Sequence, residues 1–457
     1  MKRLFLYLFC AVALVTSCYV SRTTKPHSKG YSPYNFGLAE AKTGVERYNV
    51  LLRTHQAALA AGKDVDYSGI ESIDIEIPDN FKTIPLTRVN DFKGCVINVN
   101  NTSKTACLFT AKHVGKTIVV DKALIDDGNF RTIPVLKKGR YLLVIEDEKP
   151  WVQNRRGHDY GHQRQDILLI KNGRAKNKVV MPYNNDESSP VCKLISANND
   201  PIIVKNLTVN RTAASTNITQ IVYVYGYDDV CLSNVTVITP ENRLSGDNAI
   251  RVYNSTNVLF TDVKIDGTYS QPRQSGYGIS LKNVWNFKAV RLYGKGNWGI
   301  FGNNNVNTAI IEDSEINRFD IHCYGRDISF YNVKFFDLYN QFSSVFGCVN
   351  FEKCEFRDFT PVLIETSYNT YTEFDVNFND CVFYTTQQKN YLVNTGSLSG
   401  EVNTRSELSE KQLPRVSVNN MKVISLETGE VQDQVDIFLK RGDFIRERRI
   451  QNVIKLR

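Results

Sequence analysis

From residue 200 onward the chain repeats a six-position pattern: apolar, variable, a polar marker (Asn, Asp or Lys), a small or branched apolar residue, variable, apolar. Val204-Lys205-Asn206-Leu207-Thr208-Val209 opens the series, and Phe378-Asn379-Asp380-Cys381-Val382-Phe383 closes it. The marker falls at Asn206, Asn234, Asp262, Asp313, Asn332, Lys353 and Asp380, with one degenerate copy around Ala289 to Leu292. Alternation of period two is the signature of strands with one buried face. A marker returning every 19 to 28 residues is too short a period for propeller blades, which need about 40 residues. It suits a parallel β-helix, whose coils stack about 4.8 Å apart.

Upstream, Ile73-Asp74-Ile75-Glu76-Ile77 alternates cleanly and Gly94 to Val99 follows as a second strand. Before them Thr43-Gly44-Val45-Glu46 fits a capping box. Val45, Tyr48, Leu51, Leu52, His55, Ala58 and Leu59 then recur at helical spacing up to Gly62. This predicts one short amphipathic helix lying over an exposed end of the core, with His55 a packed histidine. Between Leu143-Val144-Ile145 and Ile167-Leu168-Leu169-Ile170 lies a polar stretch carrying Arg155, Arg156 and His158. It reads as a long loop or hairpin inserted near 146–166, either a solvated excursion or a basic wall beside a groove.

A second strand precedes each marker. Ile221 to Gly226, Ala249 to Asn254 and Gly278 to Asn283 share one template. Carried on in steps of 21 residues, the template covers Gly299 to Asn304 and Asp320 to Gly325. Its outward positions then form two columns, Tyr223–Arg251–Ser280–Phe301–His322 and Tyr225–Tyr253–Lys282–Asn303–Tyr324, over roughly 20 Å. Asn254, Asn283 and Asn304 follow at the turn, where asparagine tolerates left-handed backbone. Aromatic faces suit sugar rings, and Arg or Lys suit carboxylates and sulfates. The strand Arg318 to Arg326 adds Asp320, His322 and Tyr324 to that face.

The composition is globular, 42% hydrophobic, and the net charge of +8 is dispersed over 457 residues. Such a balance argues against a nucleic-acid protein and is compatible with a polyanionic ligand. The chain opens Met1-Lys2-Arg3, runs apolar from Leu4 to Val15, and reaches Thr16-Ser17-Cys18. The apolar run is too short to span a bilayer. Residues 1–18 resemble a bacterial lipoprotein signal with Cys18 as the acylated residue. Residues 19–38 read as a tether, 39–400 as the β-helix with its cap, and 401–457 as a C-terminal packing extension. Several of the ten cysteines sit at apolar repeat positions, so buried thiols are expected. No Cys/His spacing suggests zinc and no acidic cluster suggests calcium.

The repeat and the helix together resemble the pectin lyase-like superfamily, over roughly residues 40–400 and by architecture rather than by a signature motif. The resemblance implies an all-β chain, a right-handed parallel β-helix with a short N-terminal capping helix. The superfamily includes polysaccharide lyases, glycoside hydrolases and phage tailspikes. Its lyases neutralise a uronate carboxylate with Arg or Lys, sometimes with calcium, and use Lys, Arg, His or Tyr as base. On that pattern His322 and Tyr324 are the expected base and acid. Arg318, Arg326 and Lys282 are expected at the uronate carboxylate. Substrate contacts are expected from Arg251, Tyr253, Tyr223, Tyr225, Phe301, Asn303, Asp320, Arg155, Arg156 and His158.

The expectation is a monomeric, exported, lipid-anchored protein at the bacterial outer membrane, touching the membrane only through its lipid. It would cleave an acidic polysaccharide by β-elimination without a cofactor, a glycosaminoglycan such as chondroitin or hyaluronan before pectin. The alternatives are an inverting glycoside hydrolase and a non-catalytic glycan-binding surface. The hydrolase needs two carboxylates about 6.5–9.5 Å apart. Asp228-Asp229 is paired in sequence but falls at a turn.

Overall fold

The computed structural model describes residues 31–451 apart from 103–105, 153–161, 186, 198–200, 212–218, 240–247, 268–276, 296–298, 337–339, 344, 358–360, 366–373, 386–391, 397–413 and 431–446. Cys18, the first part of the tether, Arg155, Arg156 and His158 lie outside the described residues.

Each coil of the repeat pairs in parallel with the next. Ile202–Arg211 pairs with Asp228–Ile238, and successive partners are Ile250–Asp266, Tyr277–Val290, Gly299–Glu312 and Phe319–Tyr331. The result is a parallel β-helix. The polar markers are its corners: Asn206, Asn234, Asp262, Asp313, Asn332, Lys353 and Asp380 all have φ between +48° and +56°. Left-handed backbone disfavours β-branched and bulky residues and selects Asn and Asp. Arg291 supplies the corner of the degenerate copy and Asn420 adds another. Corner side chains also bond between coils, as where Asn234 Nδ2 donates to Asn206 Oδ1 at 2.9 Å.

Inside, the same apolar residue in successive coils stacks on itself. Phe330, Phe351 and Phe378 stack with ring centroids 5.0 Å apart and planes within 11° of parallel. That separation is close to the coil spacing, so the backbone repeat dictates the ring repeat. Cys95, Cys354 and Cys381 are buried thiols in the same core, and Cys231 is buried outside it.

The capping helix α1 spans Gly44–Ala60, and Thr43 and Glu46 form the capping box. His55 on its inner side is fully buried, 2.8 Å from the Tyr67 hydroxyl and 2.9 Å from the Pro85 carbonyl oxygen. Burial pushes its imidazole down to about 4. At the other end the solenoid passes the boundary expected at residue 400. Arg415–Asn419 and Glu447–Gln451 continue the parallel stack, so the described parts of 401–457 are further coils.

The stretch expected as a long loop or hairpin near 146–166 is a hairpin, and it is part of a larger body. Arg140–Val152 and His162–Lys171 form a long antiparallel hairpin in a five-stranded sheet with Lys116–Ile118, Arg174–Ala175 and Pro190–Ser196. The hairpin's apolar alternation has two partners. Leu143, Ile145, Leu168 and Ile170 pack inside the insert, while Leu142, Val144, Ile167 and Leu169 pack with Tyr225 and Trp285 of the solenoid.

Polar contacts fix the docking. Asn283 Nδ2 donates to the Asp166 carbonyl oxygen at 3.1 Å, Asn307 Nδ2 donates to that of Lys178 at 3.3 Å, and Arg140 pairs with Asp228. Asp166 itself is buried, accepting from Val180 N–H and the Tyr183 hydroxyl, both at 3.0 Å. Burial pushes its carboxyl up to about 7, against the pull of those donors and of Arg164. An unfolded aspartate titrates near 4, so this group stabilises the folded state below that pH. The contribution is lost as pH rises through about 7. Asp166→Asn is therefore expected to flatten, over that window, the pH dependence of hydrogen-exchange protection in the insert.

Candidate active site

Backbone pairing sets the outward columns directly. One runs Thr110–Tyr223–Arg251–Ser280–Gly302–Asp320–Gln341, and the other runs Lys112–Tyr225–Tyr253–Lys282–Asn304. Both agree with the sequence reading as far as Ser280 and Lys282. Beyond them the coils are not 21 residues long: Ser280 pairs with Gly302 and Gly302 with Asp320, steps of 22 and then 18. A shift of one residue sends every side chain to the other face.

Phe301 therefore points inward, fully buried with its ring 5.0 Å from that of Phe319. Asn303 is also buried within the coil, its Oδ1 accepting from Leu281 N–H at 3.3 Å. Neither lies on the groove face. The left-handed corner belongs to Asn305, not Asn304. Asn305 continues the Asn254–Asn283 ladder by donating to Asn283 Oδ1 at 2.7 Å.

Tyr324 occupies the same corner one coil on, with φ of 28°. It is buried with Val180 and Met181 under the insert, its hydroxyl against the backbone of Gln165. Arg326 lies on that covered wall too, donating to the Val179 carbonyl oxygen at 3.3 Å. Both sit apart from the open face, because the backbone turns the corner between His322 and Gly325. Asp228 and Asp229 face Arg140 of the insert. Asp228 also accepts from Thr256 and Asn257, both at 2.7 Å. This pair fastens the insert and does not face the groove.

The open face converges on a residue the sequence reading passed over. The Tyr277 ring lies across Gly302, where a Cβ would come within 2.3 Å of it. Its hydroxyl is 2.7 Å from Asp320 Oδ2 and 2.6 Å from His322 Nε2. His322 is the extra residue of a β-bulge, skipped in the pairing between Ile321 and Cys323. Bulges re-aim side chains, and this one leaves the imidazole 24% exposed above a fully buried Asp320. Arg318, buried against Gly299, donates its Nε to Asp320 Oδ1 at 2.5 Å and Nη2 to Gln341 Oε1 at 3.0 Å.

From inside outward the order is guanidinium, carboxylate, phenol, imidazole. Burial pushes the Asp320 carboxyl above the ordinary range, and Arg318 pulls the other way. A phenol carries one proton. With Asp320 ionised, that proton goes to the carboxylate, and His322 must donate Nε2–H to the phenol oxygen. The imidazole lone pair then sits on Nδ1.

Along the groove, Tyr223 meets Tyr253 edge to face at 5.5 Å. The Tyr253 hydroxyl is 3.2 Å from Ser280 Oγ, and Arg251 stands 5.9 Å from the Tyr253 ring. Burial raises the Tyr223 hydroxyl to about 12, which makes it a neutral hydrogen-bonding group and not a base. Among the described residues no three His, Cys, Asp or Glu side chains gather as a metal site.

No protein-family model and no curated protein matches the chain. Solved structures do. The tailspike protein gp49 from Pseudomonas phage LKA1 is similar over 86% of this chain and 71% of that one, with TM-score 0.55 and 10% identity. The Gp54 tailspike of Acinetobacter baumannii bacteriophage AP22, solved with A. baumannii capsular saccharide, covers 92% and 68%, with TM-score 0.44 and 12% identity. The A-module of the Azotobacter vinelandii mannuronan C-5 epimerase AlgE4 covers 93% and 100%, with TM-score 0.37 and 9% identity. At 10% identity the likeness to the LKA1 tailspike is one of fold alone, and the chain is a parallel β-helix of that architecture.

Proposed function

We propose that the chain binds an acidic polysaccharide along the face from Lys112 to His322 and cleaves it by β-elimination at Tyr277 and His322. The observation carrying this reading is a single phenolic hydroxyl held between a buried carboxylate and a part-exposed imidazole, at the end of an aromatic and cationic face. Elimination needs a cation at the uronate carboxylate, a base for the proton α to it, and a proton for the leaving oxygen. Arg251 and Lys282 supply the positive charge. His322 takes the α-proton as the C–O bond β to the carboxylate breaks and the carbon–carbon double bond forms. Tyr277 protonates the leaving oxygen and is reprotonated by His322 across their 2.6 Å contact. Asp320, held by Arg318, positions the phenol.

Arg318 and Asp320 thus act through Tyr277 and do not touch substrate. The basic face favours a glycosaminoglycan such as chondroitin or hyaluronan over pectin. Export by residues 1–18 with acylation of Cys18 would place the enzyme where such polymers are met. Carboxylate neutralisation by side chains calls for no calcium, so turnover is expected to survive chelator. The test is a screen of purified protein on chondroitin, hyaluronan, heparin and polygalacturonate. Unsaturated-uronate absorbance from at least one of them is the expected result. New reducing ends without absorbance would make the protein a hydrolase, and binding with neither would make it a glycan-binding surface.

A further inference from the structure

The open face continues beyond the aromatic columns. Lys112 is the first member of the Lys112–Tyr225–Tyr253–Lys282 column, and its Nζ lies 5.6 Å from the Tyr225 ring centroid. There the chain leaves the solenoid for the insert. His113 stays anchored, its N–H donating to the Tyr225 carbonyl oxygen at 2.9 Å and its ring stacked on Tyr227 at 4.3 Å. Gly226 makes the close passage possible, because a Cβ there would meet the His113 carbonyl oxygen at 2.4 Å and its φ is +79°. Beside that passage the insert forms a cavity of about 470 Å³, lined among others by Lys112 at the end of its solenoid strand and by His113, Lys116, Val135, Tyr141 and Ile195. Lys112 and Lys116 are exposed at it, and most of the remaining lining is apolar.

We infer that this cavity is a remote subsite for an acidic sugar residue of the same polysaccharide chain whose bond is broken at His322. The insert then sets the length of glycan the protein grips. Three observations support that occupant. Lys112 belongs both to the outward column and to the cavity, so the two surfaces are continuous. Lysines over an apolar, tyrosine-bearing wall match a ring with one apolar face and a carboxylate or sulfate. The volume is that of a small-ligand site. Five coil steps separate the rung of Lys112 from that of Asp320, about 24 Å, so only a chain of several sugars reaches both. A second contact on one chain raises affinity through effective concentration, with no change at the reacting centre.

The inference rests on the glycan reading of the groove, and the experiment separates the two. Calorimetry on His322→Ala protein, with hyaluronan and chondroitin sulfate oligosaccharides from tetrasaccharide to dodecasaccharide, measures affinity against length without turnover. Chains long enough to span are expected to bind about tenfold more tightly than short ones. That ratio should fall towards one when Lys112→Glu reverses the shared charge or Val135→Trp narrows the cavity from its solvent side. Val135 is 49% exposed and Lys112 is exposed, so neither change disturbs the core. Affinity independent of length, or a length ratio surviving both variants, overturns the subsite and leaves the groove standing. Absence of binding at every length overturns both.

Discussion

Tyr277→Phe is expected to lower kcat by about a thousandfold, in the range typical of losing a general acid, while leaving the protein folded. The phenylalanine ring keeps its seat over Gly302, and only the hydroxyl between Asp320 and His322 is lost. Asp320 retains Arg318, so the cost in stability is about 1–2 kcal/mol. His322→Ala should lose a similar factor. The double variant should be little worse than either, because two groups sharing one proton path act as a unit. Initial rates of unsaturated-uronate formation for the two single variants and the double make the comparison. Full activity in Tyr277→Phe would remove the phenol from the mechanism.

Arg318→Ala is the second large effect, and it falls on stability. Arg318 is 1% exposed and Asp320 fully buried, so removing the cation strands a carboxylate in the wall of the solenoid, at a cost of about 3–5 kcal/mol. The pH dependence has a definite sign. Burial already holds the Asp320 carboxyl high, and without Arg318 it rises further. A folded-state value above the unfolded one gives stability at acid pH that is lost as pH rises through the folded value. Urea denaturation should therefore show the variant's deficit growing from pH 5 to pH 8. Asp320→Asn in the same chain should recover much of it. A deficit independent of pH would mean that packing against Gly299, and not charge, is what Arg318 supplies.

The corners of the solenoid were legible because left-handed backbone is chemically selective. Asn206, Asn234 and Asp262 announce their φ through their side chains, and the spacing between them gives the coil. The outward columns were legible for the same reason as far as Ser280 and Lys282. They then failed at Asn303-Asn304-Asn305, three candidates for one corner. The backbone turns at Asn305, and a corner placed one residue early exchanges the inner and outer faces of Phe301 and Asn303. The bulge that aims His322 and the 18-residue coil before it leave no local mark in the sequence.

Tyr277 was illegible for a different reason. Its place is defined by what the next coil lacks, since Gly302 gives its ring room and Asp320, 43 residues along, receives its hydroxyl. The insert's hairpin could be read from its alternation, but not its docking. That docking uses the backbone carbonyl groups of Gln165, Asp166, Lys178 and Val179, which carry no residue signature.

The decisive measurement is a structure of the His322→Ala protein bound to a long acidic oligosaccharide. The glycan should lie along the Tyr253–Ser280 face, with a uronate carboxylate at Arg251 or Lys282 and the scissile oxygen within hydrogen-bonding reach of the Tyr277 hydroxyl. A glycan on another wall of the solenoid, or a Tyr277 hydroxyl turned away from Asp320, would contradict the account.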